Sequence, residues 1–227
     1  MANYVLVPGA CHGGWWYEPI AAELRAAGHS AYPVTLSGLG PEESAAGINL
    51  DTHIDDVVRL LEAEDLRDVV LCGHSYAGMV ITGVADRVPE RIACLLHVDA
   101  FAPEDGESVW SLTDDSWHEW YAGGAGADGF AFAPLPVLDE RAVPHPLATI
   151  TQRIRLTGAH RRVPRREYVY CAGFENSPLT ATYERLADDP SWHVRVLPVG
   201  HNIIREAFDD FREILLDAAP ANVYFGP

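Results

Sequence analysis

The stretch whose reading decides the fold is VVLCGHSYAGMVITGVA, Val69 to Ala85. Its first half is an apolar run ending at glycine, which reads as a buried strand; its second half, rich in small residues, reads as a helix. Between them lies Gly73-His74-Ser75-Tyr76-Ala77-Gly78. A strand that turns abruptly into a helix needs small neighbours on both sides of the turn. Ala77 stands where a strict G-x-S-x-G pattern has its second glycine, and Gly78 adds room. Such a turn projects the serine Oγ away from the backbone, towards a helix N-terminus that favours developing negative charge. Ser75 is therefore either a nucleophile on a sharp turn or an N-cap serine. The rest of the chain has to separate the two readings.

Working outward, short apolar runs alternate with helical patterns. Strands are expected at Tyr4–Pro8, in HSAYPVTL, in DVVLCG, in RIACLLHVDA, in REYVYCAG and in WHVRVLPVG. Helices are expected around Tyr17–Ala27, in THIDDVVRLLEAE, in YAGMVITGVADRV, near LTATYERLA and in REAFDDFREILLDAA. Repeated β–α units of this kind imply an α/β fold, a parallel sheet with helices on both faces. From about Pro103 to Pro164 the rhythm breaks into an aromatic, Pro- and Gly-rich segment. GGAGADG (Gly123–Gly129) reads as a mobile loop there, and Trp110, Trp117, Trp120 and Tyr121 lie in a helix-like stretch. The whole reads as a single domain, 1–227, with a small insertion at about 103–164.

Bulk properties narrow the function. The net charge of −17 argues against nucleic acid or anionic membrane as a partner. All 16 basic residues are arginine, so lysine Schiff-base chemistry and a phosphate-loop lysine are excluded. Cys11, Cys72, Cys94 and Cys171 are widely spaced, with no CxxC or Cys/His cluster. No metal site or cofactor is expected, and the thiols read as buried and free in a reducing compartment. The N-terminus lacks a signal-peptide pattern and no segment is long enough to span a membrane, so the expected location is cytoplasmic. Six arginines between Arg153 and Arg166 read as a solvated, ion-paired face, with a homodimer contact as the alternative.

His201 favours the nucleophile reading. It follows Val199-Gly200 after a late strand, at a strand-to-helix loop where a general base would be presented. With it in place the chain resembles α/β-hydrolases of the group that contains plant methyl esterases and hydroxynitrile lyases. The matching residues are VLVPGACHGGWWY (Val5–Tyr17), AAGHSAYPVTLSGLG (Ala26–Gly40), GHSYAG, DAFAPEDGES (Asp99–Ser108) and VGH (Val199–His201). The likeness covers nearly the whole chain and is weakest in the insertion. It implies an α/β-hydrolase fold, a mostly parallel doubly wound sheet with a small inserted cap. It also implies an oxyanion hole made by the N–H groups of Ala10 and Tyr76, each donor worth roughly 3–4 kcal/mol of transition-state stabilisation.

The acid of the family usually follows the strand EYVYCAG, where this sequence reads YCAGFENSP and has no aspartate. Asp99, at the carboxyl end of the preceding strand, is the first candidate, and Glu175 is the alternative. The expected chemistry is hydrolysis of a small, apolar or aromatic ester or thioester by Ser75, His201 and the acid. Gly9, Cys11, Trp16, Trp110, Trp117, Trp120 and Tyr121 are the candidate substrate-binding residues; the aromatics equally suit packing of the insertion onto the sheet. Hydroxynitrile cleavage is disfavoured, because the lysine and threonine that this branch uses are replaced by Asn202 and Gly9. A triad-based cyclase or lyase of secondary metabolism, or a non-catalytic ligand receptor on the same fold, are the remaining readings.

Overall fold

The computed structural model describes residues 1–220. In chain order its elements begin with β1 (Asn3–Val7), α1 (Glu18–Ala26), β2 (Ser30–Pro33), α2 (Leu50–Ala63), β3 (Val69–Ser75), α3 (Ala77–Arg87) and β4 (Ile92–Ala100). There follow α4 (Asp115–Gly123), the short strands β5 (Ala131–Phe132) and β6 (His145–Pro146), and α5 (Leu147–Thr151). Then come β7 (Arg165–Cys171), α6 (Thr180–Ala187), β8 (His193–Leu197), α7 (Ile203–Glu206) and α8 (Phe208–Asp217). Six strands form one parallel sheet in the order β2-β1-β3-β4-β7-β8. β5 and β6 pair antiparallel in a separate ribbon.

The central strands are apolar throughout because both faces are covered. Tyr4 and Leu6 of β1, with Val70 and Cys72 of β3, pack with Ile20 and Leu24 of α1 and Phe211 and Leu215 of α8. Val5, Val7, Val69 and Leu71 point the other way, onto Ile54, Val57 and Leu61 of α2 and Met79, Val80 and Val84 of α3. Alternation along a pleated strand thus feeds two cores, and the sequence shows it as an unbroken run. The 103–164 segment packs on the α2–α3 side, through Val109, Tyr121, Phe132, Ile150, Ile154 and Val163.

Four local expectations change. β2 stops at Pro33, after which Thr35 leaves the sheet edge and its Oγ1 accepts the Gly14 N–H at 2.8 Å. α2 begins two residues earlier than Thr52, because Asn49 caps it in a reciprocal box with Thr52. The helix expected at 205–219 is two helices, broken at Ala207 (φ −144°, ψ 49°). GGAGADG is a tight turn stapled by Gly126 N–H to Ala131 O (2.9 Å) and Ala133 N–H to Gly124 O (2.8 Å), which close the chain back on itself.

Gly78 has the most demanding position of the turn. A Cβ there would lie far inside contact with the Phe101 carbonyl, a backbone atom at the end of β4 that cannot swing away. Gly78→Ala is therefore expected to destabilise by about 3 kcal/mol or more. A urea midpoint within error of the parent protein would show that this contact relaxes freely.

Candidate active site

Ser75 is the last residue of β3 and adopts φ +56°, in the left-handed region. A residue with a Cβ is strained there, and the surrounding structure holds it. The helix N-cap is Tyr76, with no side-chain cap bond, so the Ser75 hydroxyl does not cap α3. Close packing beneath it comes from Gly9, where a Cβ would sit 3.0 Å from the Ser75 Cβ.

Asp99, in β4, is fully buried and also in the left-handed region, at φ +41°. Its Oδ2 accepts from His201 Nδ1 at 2.6 Å, and its Oδ1 accepts the Cys171 N–H at 3.1 Å. Both oxygens of a carboxylate without solvent contact are thus occupied, as its burial demands. Glu175 is exposed and has no ion-pair partner among the described residues. No hydrogen bond or ion pair joins it to His201, whose Nδ1 is taken by Asp99. Nor is there a hydrogen bond from Ser75 to His201; such contacts commonly tighten only when substrate arrives.

The loop holding His201 is braced by the break between the last two helices. Glu206 of α7 accepts the Gly200 N–H at 2.7 Å, and Asn202 Oδ1 caps α7 by accepting the Arg205 N–H at 3.2 Å. The imidazole of His201 packs on His74 and Phe174, with ring centroids 4.4 and 4.6 Å away. His74 Nε2–H donates to the His201 carbonyl at 2.9 Å. Burial, and then the neighbouring His201, push the His74 pKa well below the usual histidine range. His74 is thus a neutral platform, and a proton gained by His201 meets no second cation in the stack.

The Gly9–Gly13 loop is held by two histidines that sequence reasoning passed over. His12 Nδ1–H donates to the Ala10 carbonyl at 2.7 Å. On the other side of that peptide, the Cys11 N–H donates to His145 Nδ1 at 3.1 Å, while His145 Nε2–H donates to Thr149 Oγ1 at 2.9 Å. Val143 N–H also donates to the Cys11 carbonyl at 3.0 Å, with Cys11 itself at φ +67°. The Ala10 and Tyr76 N–H groups have no acceptor among the described residues. Tyr76 is fixed through its phenol, which donates to His53 Nδ1 at 2.8 Å; His53 Nε2–H goes on to the Ser37 carbonyl at 2.8 Å. His12 was legible in CHGG as a residue beside the loop, whereas His145 is 134 residues from its partner and gave no local signal.

A serine on a strained strand-to-helix turn and a buried aspartate bonded to a part-exposed histidine sit at the carboxyl end of a parallel sheet. The profile of the alpha/beta hydrolase family matches residues 4–215. The chain belongs to that family. Across 95% of its length and 98% of the relative's, it is 37% identical to the carbendazim hydrolyzing esterase of Nocardioides sp. (strain SG-4G). Methylesterase 7 of Arabidopsis thaliana is 33% identical over a shorter region, 45% of this chain and 41% of that protein. Among solved structures, an extracellular alpha/beta-hydrolase from a Paenibacillus species superposes with a TM-score of 0.83 at 21% identity, covering 96% of this chain and 99% of the other.

The aromatic residues of this hydrolase divide into two groups. Trp16 is buried in the α1–α8 core and stacks on His74 at 4.6 Å, so it supports the histidine platform, not a pocket wall as expected. Trp110, Trp117, Trp120 and Tyr121 form one cluster in the 103–164 segment. Tyr121 is buried, Trp110 stacks on His118 at 3.9 Å, and Trp120 Nε1–H donates to the Ala133 carbonyl at 3.1 Å. These three pack the segment. Trp117 reaches the site: it meets Phe174 edge-on at 6.4 Å, and Phe174 in turn stacks on His201. Burial pushes the Cys11 thiol up to about 12, leaving it an inert packing group.

Proposed function

We propose that this hydrolase cleaves a small carboxylic ester or thioester through an acyl-enzyme on Ser75. The observation that carries the reading is the 2.6 Å Asp99–His201 pair, next to a serine held at φ +56°. Ser75 Oγ attacks the acyl carbon as its proton passes to His201 Nε2. Asp99 keeps the Nδ1–H of His201 oriented and stabilises the imidazolium that forms. The free N–H groups of Ala10 and Tyr76 receive the oxyanion. The leaving alcohol or thiol takes the proton from His201. Water, deprotonated by the same imidazole, then releases the acid and restores Ser75.

Phe174 stacks on His201 and Trp117 stands edge-on behind it, apolar ring surface that suits a flat or aromatic substrate. The esterase relative named for carbendazim makes that compound one substrate to try. Asn202, where hydroxynitrile cleavage would place a lysine, is engaged in capping α7, which favours hydrolysis over that lyase chemistry. The segment 103–164 is read as the cap of one domain. The four free, buried cysteines fit a reducing, cytoplasmic location.

The direct test is a fluorophosphonate probe followed by peptide mass spectrometry. We expect an adduct on Ser75 that is lost in His201→Ala, and turnover of short aromatic esters. A folded protein that takes no label would support a ligand receptor instead.

His145 gives a separate check on the oxyanion loop. His145→Ala removes the acceptor of the Cys11 N–H, and the donors lose their fixed position. A fall in kcat of about 100-fold is expected, with much less change in KM, because the oxyanion exists only in the transition state. Equal changes in both would point to general loosening of the fold.

A further inference from the structure

The residue after the nucleophile offers one oxyanion donor from its backbone, and its side chain leads into a buried hydrogen-bond chain. Tyr76 stands between two fixed neighbours. Ser75, at φ +56°, precedes it, and the first turn of α3 follows, where the Met79 N–H donates to the Tyr76 carbonyl at 3.0 Å. The Tyr76 N–H itself has no acceptor among the described residues, so no hydrogen bond holds that group in place. The side chain supplies the remaining constraint. It is buried, and its ring meets His145 edge-on at 4.6 Å. A shift of Tyr76 large enough to re-aim its N–H would drag this rigid ring out of its packing.

The direction of each bond in the chain follows from the group that can only accept. The Ser37 carbonyl lies 2.8 Å from His53 Nε2, so Nε2 carries the hydrogen. Nδ1 is then a lone pair, and the Tyr76 hydroxyl donates to it at 2.8 Å. The Thr149 hydroxyl, close to the same phenol, spends its own hydrogen on the Pro146 carbonyl at 2.8 Å. Ser37 is fixed in turn from α2, the helix that bears His53. Asp56 Oδ2 accepts the Ser37 N–H at 2.8 Å, and Oδ1 accepts its hydroxyl at 3.0 Å. Arg59, a turn further on, donates to Asp56 at 2.7 Å. His53 and Asp56, at i and i+3 on one face of α2, thus clamp the same residue. The end of the Tyr76 side chain is held by a helix and a loop that are themselves locked together.

We propose that His53 is a positioning residue for the oxyanion hole: through the phenol of Tyr76 it keeps the Tyr76 N–H aimed at the point where the oxyanion forms. This deepens the acyl-enzyme reading of Ser75 and rests on it. His53 acts only through Tyr76 and takes no part in proton transfer.

Steady-state kinetics on p-nitrophenyl acetate tests it, with kcat expressed per site titrated by a fluorophosphonate so that any unfolded fraction drops out. Tyr76→Phe deletes the hydroxyl and keeps the ring and the backbone N–H. His53→Leu deletes the acceptor, and His53→Asn restores an oxygen near the place of Nδ1. Tyr76→Phe and His53→Leu are each expected to lower kcat by about tenfold or more, with KM within about twofold, because the oxyanion exists only in the transition state. Combined, they are expected to cost no more than either alone, since both remove the same bond. His53→Asn is expected to recover most of the loss. Should His53→Leu fail to fold, Tyr76→Phe against His53→Asn carries the same comparison. Full kcat in Tyr76→Phe or His53→Leu, additive losses in the double variant, or an Asn variant as slow as Tyr76→Phe would each overturn the proposal, leaving the bond a role in stability alone. A parent protein that neither takes the label nor turns over the ester would instead overturn the acyl-enzyme reading, and this proposal with it.

Discussion

Asp99→Asn is expected to lower kcat by about four orders of magnitude with the fold intact. The reason is directional. Asp99 Oδ1 accepts the Cys171 N–H, and Oδ2 accepts from His201 Nδ1. An asparagine keeps the first bond only by placing its carbonyl there, which turns its NH₂ towards His201 Nδ1. That nitrogen must then accept, so the hydrogen of the imidazole moves to Nε2, and Nε2 can no longer take the Ser75 proton. Glu175→Ala, at an exposed turn, is expected to stay within about twofold of the parent enzyme. Steady-state kinetics on one ester settles it: if the two variants exchange these effects, the acid is Glu175 and the pairing of Asp99 is structural.

Acid is expected to unfold the protein steeply, through its buried neutral histidines. His53, His74, His97 and His145 are all buried. Burial lowers His53 to about 4 and His97 to about 3, and puts His74 and His145 well below the ordinary range. In the unfolded chain each titrates near the reference value of about 6.5. Between these limits the unfolded state binds protons that the folded state refuses, so stability rises with pH across the window. It is complete above about pH 6.5 and falls as the pH drops towards 4, where the contribution of His53 is spent. His53 alone accounts for roughly 3 kcal/mol, a large share of a typical total stability. Loss of net negative charge acts the other way, by relieving self-repulsion from the −17 at neutral pH, but it is spread over an exposed and screened surface. The urea midpoint should therefore drop sharply between pH 7 and pH 5. A flat midpoint over that interval would mean that these rings take up protons without unfolding.

The alternation of buried runs with helical patterns was legible because each strand of a doubly covered sheet must be apolar on both faces. The elbow was legible for a similar local reason: Gly73 and Gly78 are small because backbone passes close to them. Contacts between distant segments left no such trace. Asp99 could be ranked from its place at a strand end, but nothing in CLLHVDA states that its Oδ2 meets an imidazole 102 residues away. The roles of Trp16 and Trp117 divided only in three dimensions, one beneath His74 and the other against Phe174.

Sequence alone determined the parallel α/β architecture, the strained serine turn and the late histidine, since periodicity and steric size act between near neighbours. Tertiary structure alone decided which carboxylate holds His201 and which histidines pin the Ala10–Cys11 peptide. Those outcomes depend on the direction of hydrogen bonds across the sheet, which local pattern does not encode.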